Sequence, residues 1–294
     1  MWVGGCGTCK ATLLEGEVTC LLPEAPSLSE RDQRRRRIIL CQSVPKSNVT
    51  LKTKAQESPQ EHLATRDYHA VVTDVETLAE DVALFRLQVD RTPVYKPGQY
   101  AILNLGDGLR RAYSMANLPE SREVEFIARR YPNGIGSQKL FTLTPDTELT
   151  LDLPYGSAFL EDTSRPAVFI AGGTGISPIL SMVRQMSLWG NSKERECTVF
   201  YGARTPKDLV MLNEVEQLLE SIDKGTIIPV ISKSSKEWNG EVGFVTDAMV
   251  RRLTEPWDKY EFYIAGPPVM VQAVRNLLDE REVDVMHVHY DSFG

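Results

Sequence analysis

The residues best suited to chemistry form one run, Ala167-Val168-Phe169-Ile170-Ala171-Gly172-Gly173-Thr174-Gly175-Ile176-Ser177-Pro178. An apolar segment leads into a glycine-rich turn, and Pro178 is suited to the first position of a helix. Glycines let a backbone approach a pyrophosphate closely, and a helix start offers unpaired N–H groups and the positive end of a dipole. The spacing is not the dinucleotide fingerprint G-x-G-x-x-G, because proline stands where the third glycine would fall. Taken alone, the run serves equally as a phosphate cradle or as an unliganded strand-to-helix turn. A second loop, Tyr263-Ile264-Ala265-Gly266-Pro267-Pro268, also ends an apolar run and opens a helix. Two such loops at the carboxyl edge of one sheet favour a shared dinucleotide crevice, although Gly266-Pro267-Pro268 by itself also reads as a helix stop and start.

Two further groups carry chemistry. Arg110-Arg111-Ala112-Tyr113-Ser114 puts a cation, an aromatic ring and a hydroxyl on one strand, with Arg111 and Tyr113 sharing a face if the strand alternates. Arginine forks onto phosphate, tyrosine covers a ring system, and a hydroxyl bonds a ring nitrogen. Asn133-Gly134-Ile135-Gly136-Ser137-Gln138-Lys139-Leu140 reads as a loop entering a helix with Ser137 as N-cap, another phosphate cradle. Each also reads as an ordinary exposed strand or capped helix.

These groups need elements to position them. From about His69 to Leu153 short alternating segments, among them Val82 to Val89, Tyr100 to Leu105 and Val124 to Ala128, are separated by Pro, Gly, Asn and Asp. That pattern predicts an antiparallel sandwich or barrel. After Pro166, apolar runs at Ala167 to Ala171, Thr198 to Tyr201, Thr226 to Ile231 and Phe262 to Ala265 alternate with helix-like segments. These segments are Ile179 to Leu188, Asn213 to Ile222, Thr246 to Leu253 and Val269 to Leu278, and the alternation predicts a doubly wound parallel sheet. The polar stretch Lys52 to Glu61 reads as a linker.

The 294 residues suffice for two modest domains and a smaller piece, with 42% hydrophobic and 25% charged residues. This balance excludes a disordered, collagenous or disulfide-built chain. Lys and Arg total 33 against 40 Asp and Glu, a net charge of −7, which gives no footprint for nucleic acid. No apolar run reaches the ~20 residues that span a bilayer, so no membrane partner is expected. Met1-Trp2-Val3-Gly4-Gly5-Cys6 lacks the regions of a signal peptide. A cytoplasmic location with reduced cysteines is therefore expected.

Tyr95-Lys96-Pro97-Gly98-Gln99-Tyr100, Arg111-Ala112-Tyr113-Ser114, Gly134-Ile135-Gly136-Ser137, Pro154-Tyr155-Gly156, the Gly172 to Pro178 loop and Ala265-Gly266-Pro267-Pro268 occur in an order that resembles the ferredoxin–NAD(P)+ reductase-like flavoproteins. The closest likeness is to the reductase components of bacterial ring-hydroxylating dioxygenases of the naphthalene type. The resemblance implies a Greek-key FAD-binding β-barrel at 63–163, an NAD(P)-binding α/β domain at 164–294, and a ferredoxin-like remnant with its linker at 1–62. It implies that Arg111 and Ala112 meet the FAD, with Arg111 on its pyrophosphate. Tyr113 would pack on the isoalloxazine, Ser114 would lie near its reactive nitrogen, and Ile127, Gly134, Gly136 and Ser137 would complete the site. Gly172, Gly173, Thr174 and Gly175 would receive NADH or NADPH, with Thr174 near the nicotinamide and Arg204, Gly266 and Pro267 also in contact. Ser114, Thr174 and Phe293 are the implied catalytic group, Phe293 lying on the nicotinamide side of the flavin or serving as a packed terminal aromatic. Ala265 replaces the family's frequent cysteine, a change that tunes hydride transfer without abolishing it. For a 2′-phosphate, Arg204 and Lys207 compete as contacts, whereas Asp208 reads as a surface-turn residue; the resemblance favours NADH with both nucleotides used.

Cys6-Gly7-Thr8-Cys9 followed by Cys41 resembles the later part of a plant-type [2Fe–2S] pattern, C-x4-C-x2-C with a distant fourth cysteine. The first ligand position falls on Met1. The expectation is that Cys6, Cys9 and Cys41 hold no stable cluster in this chain, the alternative being a start further upstream. The implied activity is NAD(P)H:ferredoxin oxidoreduction, with a separate [2Fe–2S] ferredoxin and, through it, a terminal dioxygenase as partners; the alternatives are a self-sufficient FAD and [2Fe–2S] reductase and a non-catalytic nucleotide-sensing protein on the same fold. Arg34 to Arg37 reads as a solvated run, with docking of an acidic ferredoxin as the alternative.

Overall fold

The computed structural model describes residues 10–23, 28, 30–53, 64–189, 195–222, 224–234 and 238–293. It divides into two compact units, residues 1–60 and 61–294.

In the first unit, β1 (Lys10–Glu15) pairs antiparallel with β3 (Arg37–Ile39) on one side and β5 (Thr50–Lys52) on the other. A second small sheet joins β2 (Val18–Cys20) and β4 (Ser43–Pro45), and α1 (Glu30–Arg34) precedes β3. Asp32 is buried and ion-paired with Lys10 at 2.6 Å and Arg37 at 2.8 Å. Arg34, Arg35 and Arg36 are exposed, as a solvated run requires, while Arg37 leaves that run for its ion pair. Positions 54–61 of the expected linker lie outside the described residues, and Lys52 belongs to β5.

The second unit opens with six antiparallel strands: β6 (Arg66–Ala79), β7 (Val82–Val89), β8 (Tyr100–Asn104), β9 (Arg110–Ser114), β10 (Glu123–Arg129) and β11 (Glu148–Tyr155). Their order is β10-β7-β6-β11-β8-β9, and a bridge between Met115 and Phe126 brings the last strand round to the first. The helix α2 (Ile135–Leu140) lies between β10 and β11. The period of two divides β7 between two cores: Ala83, Phe85, Leu87 and Val89 fill the barrel, whereas Val82 and Leu84 point into the next module.

That module is a parallel sheet of order β15-β14-β13-β12-β16-β17, built from β12 (Ala167–Gly172), β13 (Cys197–Ala203), β14 (Gly225–Ile231), β15 (Glu241–Val242), β16 (Glu261–Gly266) and β17 (Val288–Ser292). Both faces are covered, which is why these strands read as continuous apolar runs. Phe169 and Ala171 meet α3 (Ile176–Trp189) and α4 (Leu212–Glu220) on one face. Val168 and Ile170 meet α5 (Val245–Arg252) and α6 (Pro268–Glu280) on the other. Strand order reverses at β12, with β13 on one side and β16 on the other, so the crevice beyond the carboxyl ends of β12 and β16 is the switch point of the sheet.

Candidate functional site: a strand edge facing a glycine loop

The β9 strand ends the sheet order, so its outer edge is unpaired up to Ser114. Arg110, Arg111 and Ala112 are exposed, Tyr113 is half-buried against Phe126 (ring centroids 6.4 Å apart), and Ser114 is buried. Burial pushes the Tyr113 phenol up to about 12, against the pull of Arg111. The Arg111 stem lies directly on α2: a Cβ at Gly136 would stand 2.5 Å from Arg111 Cγ. Glycine lets the Arg111 stem lie this close, which brings the expected phosphate cation and the expected phosphate loop together.

The expectation for Ser137 is corrected. The helix begins at Ile135 with Gly134 as its cap, and Ser137 lies within the first turn. Its hydroxyl accepts from the Tyr131 amide at 3.0 Å and donates to the Gly134 carbonyl at 3.0 Å, tying the preceding loop shut. Pro178 is likewise not the first helical residue: α3 starts at Ile176, and proline sits in the first turn, where its missing N–H leaves no bond unmade. Ile127 is set apart from the exposed edge, 4% exposed and packed among Phe169, Ile176 and Ile179.

The glycines after β12 do different jobs. A Cβ at Gly175 would collide with the Ala265 carbonyl, so this glycine lets the two loops of the crevice touch. Gly173 has φ of 55° and nothing within 4 Å of where a Cβ would stand, leaving open space in front of its backbone. An exposed strand with a cation against a helical turn, and an open glycine beside a helix start, both fit the phosphates of dinucleotides.

The two modules meet here. Ser177 Oγ donates to the Ser114 carbonyl at 2.7 Å, Ser181 Oγ to the Asn117 carbonyl at 2.7 Å, and Arg184 Nη1 to the Ala116 carbonyl at 3.0 Å. Arg184 also pairs with Glu125 at 2.7 Å and Glu214 at 2.6 Å. The tail arrives at the same place: Phe293 donates its amide to the Gly266 carbonyl at 3.0 Å and packs on the shared core. The preceding Asp291 sets its Oδ2 3.5 Å from Ser114 Oγ, and burial pushes its carboxyl up to about 6.

Asp291 is the residue that sequence reasoning missed, although it stands in the tail singled out for Phe293. Asp208 stands in a turn, Pro206–Asp208, and has partners there. It accepts from the Thr205 amide and hydroxyl at 3.0 and 2.8 Å and pairs with Arg129 at 3.2 Å. Arg204 is exposed and its carbonyl accepts from Lys233 N at 2.9 Å, so a second exposed cation, unremarked in the sequence, stands beside it. Beyond β15, Phe244 presents a ring 69% exposed at the same sheet edge. In the first unit Cys41 lies half-buried in the turn Leu40–Gln42, and Cys6 and Cys9 lie outside the described residues.

Barrel, parallel sheet and facing loops define a two-module flavin and nicotinamide-nucleotide oxidoreductase. Family models agree: an oxidoreductase FAD-binding domain matches residues 69–159, an oxidoreductase NAD-binding domain residues 169–276, and a 2Fe-2S iron-sulfur cluster binding domain residues 2–46. The chain is 33% identical to the anthranilate 1,2-dioxygenase electron transfer component of Acinetobacter baylyi over 99% of its own length and 85% of that protein. It is also 33% identical to the ferredoxin–NAD(P)(+) reductase CarAd of Metapseudomonas resinovorans, over 99% and 88%. Among solved structures, the ferredoxin reductase in carbazole 1,9a-dioxygenase superposes with TM-score 0.75 at 30% identity, covering 99% of this chain and 87% of that one. The Amycolatopsis cytochrome P450 reductase GcoB superposes with TM-score 0.78 at 28% identity, covering 99% and 88%.

The chain belongs to the ferredoxin–NAD(P)+ reductase family of oxygenase electron-transfer components, oxidoreductases with FAD- and NAD-binding domains. These relatives carry that family and not the naphthalene type in particular. Among the described residues, no helix is long and apolar enough to cross a membrane.

Proposed function

We propose that the protein is an NAD(P)H:ferredoxin oxidoreductase, a cytoplasmic enzyme that passes electrons through FAD to a separate [2Fe–2S] ferredoxin and so, indirectly, to a terminal aromatic-ring dioxygenase. FAD, when held there, would supply the conversion of a two-electron hydride from nicotinamide into single electrons for an iron–sulfur acceptor. The observation that carries this reading is the 2.7 Å hydrogen bond from Ser177 Oγ to the Ser114 carbonyl. It fastens the open strand edge to the first turn behind the glycine loop, so ligands held at the two places converge, as direct hydride transfer requires.

In this reading Arg111, Gly134, Gly136 and the turn around Ser137 hold the FAD phosphates, and Ala112 and Tyr113 line its ring. Ser114 offers a hydroxyl at the reacting edge, with Asp291 behind it as the group that holds or gives up a proton. Gly172 to Gly175 seat the nicotinamide nucleotide, Thr174 lies toward its ring, and Gly266, Pro267 and Phe293 form the opposite wall. Arg204 and Lys233 meet the adenosine half and a 2′-phosphate where present, so NADPH is accepted beside NADH. The domains divide at 1–62, 63–163 and 164–294.

Anaerobic addition of NADH, and separately NADPH, to the flavin-loaded protein tests the reading. Bleaching of the flavin band near ~450 nm is expected, followed by reduction of a [2Fe–2S] ferredoxin. Absence of bleaching with both nucleotides overturns it. The iron–sulfur family match over residues 2–46, which takes in Cys6, Cys9 and Cys41, favours a second reading: a self-sufficient FAD and [2Fe–2S] reductase. Iron analysis of a chain extended through any upstream codons decides between them.

A further inference from the structure

The outward face of β10 presents Glu125, Ile127 and Arg129 at spacing two, and all three turn toward the parallel-sheet module. Glu125 pairs with Arg184, Ile127 enters the shared core, and Arg129 pairs with Asp208. The first two lie beside the helix behind the glycine loop. Arg129 alone of the three reaches the turn that follows β13, the turn that carries Arg204.

The contacts around Arg129 are specific. Its side chain is 10% exposed; Nη2 donates to Asp208 Oδ1 at 3.2 Å, and Nε lies 3.5 Å from Asp81 Oδ2, in the β6–β7 turn. Asp208 uses its other oxygen to accept from the Thr205 amide and hydroxyl, closing the turn Thr205–Asp208 on itself. Burial opposes ionisation of Asp208, but the Thr205 bonds and Arg129 outweigh it and hold the carboxyl below its ordinary value. Immediately after the turn, Leu209 and Val210 are buried, and the Tyr201 hydroxyl bridges the Val210 carbonyl at 3.1 Å and the Gly173 carbonyl at 3.3 Å. The two coenzyme-facing loops are thus tied to each other at Tyr201 and to the barrel at Arg129.

The same strand is registered to the flavin edge. Met115 bridges to Phe126, and the Ala116 amide donates to the Glu125 carbonyl at 2.8 Å, directly after Ser114. Phe126 and Arg129 are three residues apart, about 10 Å along a strand. A single rigid segment therefore carries the reference point for the flavin side at one end and for the nucleotide turn at the other. Arg204 and Lys207 are exposed, so the turn has little core of its own to hold it.

We propose that Arg129 is a positioning residue for the nicotinamide nucleotide, acting through Asp208 to hold the Arg204–Asp208 turn at a set distance from the flavin-facing strand end. The proposal rests on the reductase reading above and deepens it: a charged link outside the nucleotide contacts sets how well reduced coenzyme is seated.

The test uses the full chain loaded with FAD and the variants Arg129→Met, Arg129→Lys and Asp208→Asn, each first checked for flavin content and melting temperature. NAD+ affinity of the oxidised proteins is measured by calorimetry, amide hydrogen exchange is followed with and without NAD+, and KM and kcat are measured with ferricyanide as acceptor. In Arg129→Met, KM for reduced nucleotide and Kd for NAD+ should rise about tenfold while kcat changes less than about threefold, the pattern of lost binding geometry. Arg129→Lys should fall between Arg129→Met and the parent, because it keeps the charge but not the fork. Amides of residues 205–210 should exchange faster in Arg129→Met while those of 82–89 and 123–128 keep their protection. Folded variants whose Kd and KM stay within about twofold of the parent overturn the proposal, and so does loss of barrel protection together with the turn, which makes Arg129 a structural contact only. A parent protein that neither nucleotide reduces sinks the reductase reading instead, so the two failures are distinct.

Discussion

The Ser114 hydroxyl and the Asp291 carboxylate, 177 positions apart in the chain, meet at 3.5 Å at the point where the barrel edge faces the parallel sheet. The strand order places them together: β17 lies outermost beside β16, and its end runs past the Gly266 loop to the end of β9. Asp291 is half-buried there with few bonds to its charged form, and desolvation raises its carboxyl from 3.8 to about 6.

That shift predicts a pH dependence. The fold favours the neutral acid, so the native state binds this proton more tightly than the unfolded chain does. Stability is therefore greatest in this respect below about pH 4 and falls as pH rises to about 6, by roughly 2–3 kcal/mol if Asp291 acts alone. Asp291→Asn should remove this slope, gaining stability on the parent at pH 7 but not at pH 4 in urea titrations. The pH profile of flavin reduction should also lose its limb near about 6.

Gly173 and Gly175 should separate binding from folding. Gly175→Ala drives a methyl group into the Ala265 carbonyl, backbone against backbone, and should destabilise the protein by about 2–3 kcal/mol. Gly173→Ala meets no atom and bears only the strain of a positive φ, about 1 kcal/mol. It should stay folded yet raise KM for NAD(P)H severalfold by filling the open space before the backbone. Thermal melts and steady-state kinetics on the two variants check the contrast.

Arg184 joins Glu125, Glu214 and the Ala116 carbonyl at the seam between the modules. Burial works against its charge, but the Glu125 bond and the two carboxylates prevail and raise its pKa. Arg184→Met leaves Glu125 only its longer pair with Arg86 Nε at 3.3 Å and should destabilise by about 2 kcal/mol, read from chemical denaturation. A Glu125→Gln change in the same background should recover part of that loss, because a buried charge with one partner fewer is removed.

Arg111 and Gly136 are predicted to act together on the flavin. Gly136→Ala forces the flexible Arg111 stem aside and should weaken FAD binding about tenfold with little change in stability. Arg111→Ala should weaken it more, and the double variant should be no worse than Arg111→Ala alone. Flavin content after dialysis and titration with FAD measure each step.

Much of the architecture was legible because the periodicities differ along the chain. Alternation at Val82 to Val89 and unbroken apolar runs at Ala167 to Ala171 each report how many faces of a strand are covered, which is local information. The glycine loops and the Arg111 strand were legible for a similar reason, since close backbone approach and phosphate binding need particular residue types at one place. Ser137 was misassigned because a hydroxyl before an apolar segment looks the same whether it caps a helix or ties a loop behind it. That Ile127 would be buried in the core shared with the parallel sheet was not legible, because no local pattern tells which surface an outward strand face will meet.

The amino-acid sequence by itself determined the two module types, the loops that approach phosphates, and the side chains able to grip them, since each depends on chemistry within a dozen residues. Tertiary structure alone decided that Asp291 stands behind Ser114, that Asp208 pairs with Arg129, and that β10 is a seam. Those outcomes depend on which surfaces pack together. Burial then changes what a carboxylate can do, through desolvation and through partners drawn from distant parts of the chain.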